Sequence, residues 1–414
     1  MEYNSAMNPA DKHQNDEERL PEPSQDEYQH SATLAFEIVN EIKENGPMPF
    51  SRFFDAALYH PTLGYYTGPQ AVFGKEGDFI TAPLISDLFS RSLANQIIEV
   101  SDLIAGDYQI LEIGAGNGTM ARDILLQLEK CGKLPAKYQI LEVSPNLIAR
   151  QKALISEALP AFVDNVEWID QAPTAAWKGV IIANEVLDAL SVERFRVVDG
   201  KPHYVDVGLA VNDADKTVQF TPVLREADES LTAFYDARLA RGFVFPEGYE
   251  SEYCPHLTSW LPPLFESMTE GVAIFVDYGY DEKEYYRPER MTGTLIAHYK
   301  HRAHEDFYLY PGLQDLTANV NFTEVANVLV DMGLEFLGYT SQAFFLFGNK
   351  LQEMAAEDKA AMGDDELAWF ELSKRIQHLV HPEEMGERFK VIAVGKNFDH
   401  ALQGFEIHDY AHQL

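Results

Sequence analysis

Cysteine is nearly absent: Cys131 and Cys254 are the two thiols of a 414-residue chain. Two thiols build no disulfide framework and show no zinc-ligand spacing, and such usage is expected of a protein in a reducing cytoplasm. Long apolar runs are missing as well. No stretch approaches the roughly 18 residues that a membrane-spanning helix requires, so no membrane partner is expected. Basic residues are scarce, with 32 lysines and arginines against 66 aspartates and glutamates, a formal charge of -34. That sign repels a phosphate backbone, which argues against nucleic acid; it attracts a basic protein segment and keeps the chain in solution. Residues 1–30 have neither an Arg-rich amphipathic pattern nor the apolar centre of a secretion signal, and read as a disordered acidic tail.

What is present suffices for a large core. Hydrophobic residues make up 46% of the chain and aromatic ones 12%, and the length points to one elaborated domain or two. Helical spacing runs over 32–44 and 50–58, followed by a turn-rich stretch to Tyr66 and an amphipathic helix from about 86 to 101. From residue 108 the period changes. Strand-like runs at 108–113, 138–143, 166–169, 180–183 and 272–277 alternate, in their first part, with helical runs at 120–129 and 146–159. That β-α-β-α order implies an α/β fold with a parallel sheet covered on both faces. Residues 190–265 break the pattern, with strand-like 193–198 and 203–209 and helical 227–240, and read as an inserted α+β cap at the ligand-binding edge of the sheet. Strands are expected again at 339–347 and 389–394. The resulting division is a tail of 1–30, an N-terminal helical segment of 31–105 over the cofactor pocket, a main domain of 106–395, and a C-terminal tail of 396–414.

Chemistry concentrates at Gln109-Ile-Leu-Glu-Ile-Gly-Ala-Gly-Asn-Gly-Thr119. A strand runs into Gly114, Gly116 and Gly118, whose missing Cβ atoms let a ligand lie against bare peptide. A dinucleotide turn prefers G-x-G-x-x-G and a free helix start for pyrophosphate. Here Glu112 stands two residues before the first glycine, where a carboxylate suits an ammonium and repels a phosphate. The spacing points to S-adenosylmethionine. Glu142 closes the next strand, where a carboxylate accepts ribose hydroxyls, and Asp170 follows the third, in reach of an adenine amine. After the fourth strand, Asn184, Glu185 and Asp188 stand where this architecture presents groups to cofactor and reacting atom. A guanidinium acceptor arrives charged and needs carboxylates to orient it; Glu185, with Asp188 or Glu193, meets that need. Asp277, Tyr278 and Tyr280 close a later strand. His298, His301 and His304, spaced three and three, would point around a helix beside Lys300 and Arg302, so no metal is expected.

Several segments together resemble the MidA family of class I methyltransferases, which includes mitochondrial respiratory complex I assembly factors. They include Gly46-Pro-Met-Pro-Phe50, Ala57-Leu-Tyr-His-Pro-Thr-Leu-Gly-Tyr-Tyr66, Phe73-Gly-Lys-Glu-Gly-Asp-Phe-Ile-Thr-Ala-Pro83, Leu111 to Thr119, Asn184-Glu-Val-Leu-Asp-Ala189, Phe275-Val-Asp-Tyr-Gly279 and Asp315-Leu-Thr-Ala-Asn-Val320. They fall in family order along nearly the whole chain. The resemblance implies a Rossmann-like class I methyltransferase sheet, S-adenosylmethionine as cofactor, and methylation of a protein arginine to a symmetric dimethyl product, with a respiratory complex I subunit as substrate. It places Gly114, Gly116, Gly118 and Glu142 at the cofactor, and adds Gly77, Asp78, Thr81 and Pro83 over the same pocket. One departure concerns the acceptor: arginine methyltransferases normally space two substrate glutamates nine residues apart, whereas Glu185 and Glu193 are eight apart, so the second guanidinium ligand stays open. Two other functions share the cofactor motif: methylation of a small molecule or another side chain, and a non-catalytic assembly chaperone. A dehydrogenase ranks last, because the glycine spacing is wrong for a dinucleotide and no phosphate-compatible helix start follows. Oligomeric state is not set by the sequence.

Overall fold

The computed structural model describes residues 20–68, 81–212 and 217–414. Gly77 and Asp78 lie outside them. The chain divides into two units by its contacts: 20–68, 189–256 and 283–319 belong to one, and 81–188, 257–282 and 320–414 to the other. The division therefore falls inside the segment 31–105 and not at its end.

The second unit is built on an eight-stranded sheet. Strands β1 (Gln109–Ile113), β2 (Lys137–Leu141), β3 (Val166–Ile169) and β4 (Trp177–Asn184) supply one half. The spatial order is Glu335–Ser341, Phe389–Lys396, Met268–Tyr280, β4, β1, β2, β3, with Val320–Asn321 beside Met268–Tyr280. Every pair from Met268–Tyr280 to β3 is parallel, whereas Phe389–Lys396 runs antiparallel between its two neighbours. This is the Rossmann-like sheet. β1, β2 and β3 step one way from the centre and β4 lies on the other side of β1, so the switch point falls between β1 and β4, where open α/β sheets bind ligands at the carboxyl ends of the strands. Ile113 pairs with Ala183, one residue before β4 ends, while Met268–Tyr280 pairs with β4 up to Val276 and runs on to Tyr280. The strands are apolar along almost their whole length because helices cover both faces; Ile110, Val180, Ile182, Val272 and Ile274 share one core with Leu88, Leu93, Ile97, Ile124 and Leu128.

The first unit is α+β. A four-stranded antiparallel sheet has the order Val218–Glu226, Lys201–Val211, Glu193–Val198, Glu250–Tyr253, and a three-stranded one the order Arg302–His304, Ile296–Tyr299, Asp315–Thr317. Helices Gln25–Asn45 and Phe50–Tyr59 bury Leu34, Ile38, Phe50, Phe53 and Phe54 against Val207, Phe220 and Phe307.

Several boundaries differ from expectation, each for a local reason. The first helix starts at Gln25, within the segment read as tail, because Ser24 and Glu27 form a reciprocal capping box. The strand expected over 339–347 ends at Ser341, and Gln342–Gly348 is helical, burying Ala343, Phe345 and Leu346. His298 and His304 lie on the two arms of a hairpin and not around a helix, because Lys300 and His301 adopt φ of 46° and 63°, the left-handed pair that turns a tight hairpin. Burial pushes both imidazoles down to about 4, which keeps them neutral. Among the described residues no helix is long and apolar enough to cross a membrane.

Residues 396–414 are packed and not free. Phe398, Leu402 and Phe405 join the sheet's core, and the Phe405 ring sits where a Cβ on Gly338 would come within 2.4 Å. Phe405→Ala is expected to cost about 3–5 kcal/mol by leaving a cavity there; a thermal melt unchanged from the parent would show that the segment contributes nothing to the core.

Candidate functional site

The carboxyl end of β1 opens the site. Glu112 is fully closed off from solvent. Its Oε2 accepts the Tyr138 hydroxyl at 2.6 Å, while Oε1 has no hydrogen-bond partner among the described residues. Burial pushes the carboxyl up to about 7; the Tyr138 bond opposes the shift and the charge of Glu142 adds to it. A buried carboxylate with an open acceptor is costly by itself, and an ammonium group answers both the charge and the vacant lone pair. Gly114, Gly116 and Gly118 follow with φ of 64°, 54° and 87°, all left-handed. A Cβ on Gly114 would come within 3.2 Å of Val186 Cγ2, a tight contact on a backbone that already disfavours a side chain. The residues thus fit the methionine part of S-adenosylmethionine.

Glu142 follows β2 and is buried. Its Oε1 accepts the Val143 and Ser144 backbone N–H groups, each at 2.9 Å, and its Oε2 accepts the Gln151 amide at 3.1 Å. Burial raises its pKa and these bonds oppose the rise. Three acceptor positions are used of roughly four that a carboxylate has, so the group is oriented and still able to accept. Asp170 is exposed just beyond β3.

At the end of β4 the sequence turns sharply. Glu185 has φ 53°, and its N–H donates to the Val276 carbonyl at 2.9 Å. The Asn184 amide donates to Glu185 Oε1 at 2.9 Å, leaving Asn184 Oδ1 buried and without a partner among the described residues. Burial, then the neighbouring Asp188, push the Glu185 carboxyl up to about 8, against the Asn184 bond and a bond from the Ala82 backbone N–H. Ala82 opens a short helix, Ala82–Ile85, flanked by Thr81 at its cap and buried Pro83, so these two residues frame a contact with Glu185. Asp188 is buried and accepts the Tyr278 hydroxyl. Asp277 is fully buried; its Oδ2 accepts the N–H groups of Val186, Leu187 and Asp188 at 3.1, 2.9 and 3.2 Å, and its Oδ1 that of Tyr278 at 2.9 Å. Burial, with Asp188 and Glu185 close by, holds its carboxyl well above the usual range. Glu193 belongs to the first unit, on Glu193–Val198, where the Ser51 hydroxyl donates to its Oε1 at 2.5 Å and burial raises its pKa.

The structure therefore gathers Asn184, Glu185 and Asp188 into one acidic corner, and sets Glu112 and Glu142 close enough to feel each other's charge. The sequence alone left Asp277 and Tyr278 as strand-end residues without a role, although the first braces the corner. Tyr138 and Gln151 were missed altogether. The signal for Gln151 is an amide in the apolar stripe Leu147, Gln151, Ile155 of helix Pro145–Ala158.

A cradle of three left-handed glycines beneath an unpaired buried carboxylate, at the switch point of this sheet, defines a methyltransferase that uses S-adenosylmethionine. Residues 92–340 match the sequence model of the S-adenosyl-L-methionine-dependent methyltransferase family Methyltransf_28, and the chain belongs to that family. The crystal structure of a Burkholderia thailandensis protein bound to S-adenosyl-homocysteine is 35% identical, with a TM-score of 0.87 over 96% of this chain and 100% of that one. The Drosophila melanogaster protein arginine methyltransferase NDUFAF7 homolog, mitochondrial, is 26% identical over 406 residues, covering 90% of this chain and 87% of its own. Its human counterpart is 26% identical over 388 residues, covering 86% and 82%. These relatives are named as mitochondrial, which overturns the cytoplasmic location expected from cysteine usage. Scarce cysteine marks a reducing compartment, and the cytoplasm is only one such compartment.

The raised Glu112 pKa gives binding a pH dependence. Between about 4.5 and 7 the ligand-free protein holds a proton at Glu112 that the unfolded chain lacks, so this group's contribution to stability is greatest at low pH and is lost as pH rises through 7. An ammonium ligand reverses the preference by favouring the carboxylate. Calorimetric affinity for S-adenosyl-homocysteine is expected to fall up to about tenfold from pH 7.5 to 6, with proton release on binding. Glu112→Gln should flatten the profile, and an unflattened one would remove Glu112 from the ammonium site. In a separate titration, Gly116→Val should abolish binding; retained affinity would mean that the cofactor does not lie on this turn.

Proposed function

We propose that the methyl acceptor is an arginine side chain of a protein, held by Glu185. The observation that carries this reading is the Glu185 carboxylate, fixed by Asn184 and the Ala82 N–H beside Asp188 in a corner with a surplus of negative charge. The names of the relatives as protein arginine methyltransferases support it, and the overall charge of -34 favours a basic partner. S-adenosylmethionine supplies a methyl group on a sulfonium, open to in-line displacement. Glu185 does the rest of the work by orienting the planar guanidinium, so that one nitrogen faces that methyl and its lone pair is withdrawn from resonance. As the new C–N bond forms and the C–S bond breaks, the attacking nitrogen loses a proton. A carboxylate poised at about 8 is well matched to accept it. Asp188 lends negative charge and stays anchored by Tyr278. The second guanidinium ligand is left open between Asp188, beside Glu185, and Glu193, which belongs to the other unit. A respiratory complex I subunit is the first protein substrate to assay, and symmetric dimethylarginine the product to seek.

Labelled cofactor incubated with the protein and a lysate, followed by mass spectrometry, separates the outcomes: label on arginine supports the reading, label on a small molecule or another side chain replaces it, and no transfer at all favours a chaperone. Glu185→Gln should lower transfer by about 10²–10⁴-fold while cofactor affinity stays within about threefold. The parent rate should climb with pH through about 8 as Glu185 loses its proton, and the variant should lack that limb. Full activity in the variant would end the role given to Glu185.

A further inference from the structure

Helix Pro145–Ala158 faces the core through Leu147, Gln151 and Ile155, one residue per turn. The middle position is an amide with no exposure at all, and an amide is costly there unless it is hydrogen-bonded. Gln151 is bonded on both ends. Its Nε2 donates to the Gly116 carbonyl at 2.8 Å and to Glu142 Oε2 at 3.1 Å, and its Oε1 accepts the Trp168 indole N–H at 2.8 Å. Both donors and one of two lone pairs are in use. The three partners stand on three different segments: the glycine turn after β1, the residue closing β2, and β3 two residues before Asp170. Contact with the turn is also steric, since a Cβ on Gly118 would lie 3.1 Å from Gln151 Cα and Cγ.

The two oxygens of Glu142 are held differently. Oε1 is fixed by its own chain, through Val143 and Ser144. Among the described residues Oε2 takes only Gln151, so this amide, together with the two bonds to Oε1, sets the rotation of the carboxylate and the direction of the remaining lone pair on Oε2. Leucine at 151 would keep the packing but leave the Gly116 carbonyl and Glu142 Oε2 buried and unpaired. Glutamate would place a second charge against Glu142. We propose that Gln151 is the positioning residue of the cofactor site: by aiming the one open lone pair of Glu142 Oε2 at the ribose 2′-hydroxyl, it makes the enzyme select a ribose over a deoxyribose. Gln151 touches no reacting atom and acts through Glu142, so the inference rests on Glu142 being the ribose acceptor.

The test compares S-adenosyl-homocysteine with its 2′-deoxyribose analogue by calorimetry on the full chain, in the parent, Gln151→Leu, Gln151→Glu and Glu142→Gln. The parent should prefer the ribose form by about tenfold or more, the scale of one buried polar group left unpaired. In Gln151→Leu the ribose form should weaken about tenfold while the deoxy form stays within about threefold, so that the ratio collapses. In Gln151→Glu selectivity should be lost at pH 8 and partly return at pH 6, where a protonated carboxyl regains one donor; that recovery reads the bond even where the leucine variant fails to fold. An equal loss for both ligands in the Gln151 variants means a purely structural amide and overturns the inference. If Glu142→Gln keeps the parent's ratio, the ribose role of Glu142 falls. A ratio that collapses in Glu142→Gln but not in the Gln151 variants removes Gln151 alone.

Discussion

One carboxylate oxygen, Asp277 Oδ2, receives three consecutive backbone N–H groups from Val186, Leu187 and Asp188, and the acidic corner depends on that arrangement. Beyond the end of β4 these donors have no strand partner, and donors left unpaired in a buried place are costly. Asp277 supplies the acceptor from the neighbouring strand, which is in register with β4 up to Asn184 and Val276. The turn is thereby tied to the sheet, and Glu185 points where it does because the next three residues cannot move. Tyr278 extends the brace by holding Asp188.

The same brace concentrates charge of one sign. Asp277, Asp188 and Glu185 each raise the cost of ionising a neighbour, and Glu142 does the same to Glu112. Carboxylates gathered in this way store electrostatic energy in the ligand-free protein. The ligand of this family relieves it, because S-adenosylmethionine carries an ammonium and a sulfonium, and a guanidinium would carry a third positive charge. Unfavourable burial in the free protein and attraction for cationic ligands are therefore one property seen from two sides. A pattern of raised carboxyl pKa values at the strand ends of an α/β sheet is how such a site announces itself.

Sequence reading went far where chemistry is local in the chain. Glycine spacing, Glu112 before it and Glu142 one strand later are each short-range signals, and the change of hydrophobic period at residue 108 located the sheet. It fell short where partners come from distant segments. Asp277 meets residues 186–188 across some ninety positions, and Gln151 meets Gly116 across thirty-five; neither pairing leaves a mark in a periodicity. Element ends were lost to capping and turn chemistry, as at Ser24 and at the Lys300–His301 turn. The C-terminal residues read as a tail because their segment is short and forms no strand or long helix, although Phe398, Leu402 and Phe405 are all buried.

Glu185 itself breaks a local rule. A left-handed φ at a residue with a Cβ costs roughly 1–2 kcal/mol, and a glycine would avoid it. Nothing in the packing of the turn requires a carboxylate there: Asp277 satisfies the following N–H groups, and the N–H of residue 185 bonds the Val276 carbonyl through its backbone alone. The side chain adds further cost, being pushed toward its neutral form by burial and by Asp188. Glu185 is thus strained in its backbone and disfavoured in its charge, yet fixed by Asn184 and the Ala82 N–H, the pattern expected where a residue serves function. On the proposed reading Glu185, ahead of Asp188, would meet the acceptor, since Asp188 is buried against Tyr278 and its backbone N–H is part of the brace.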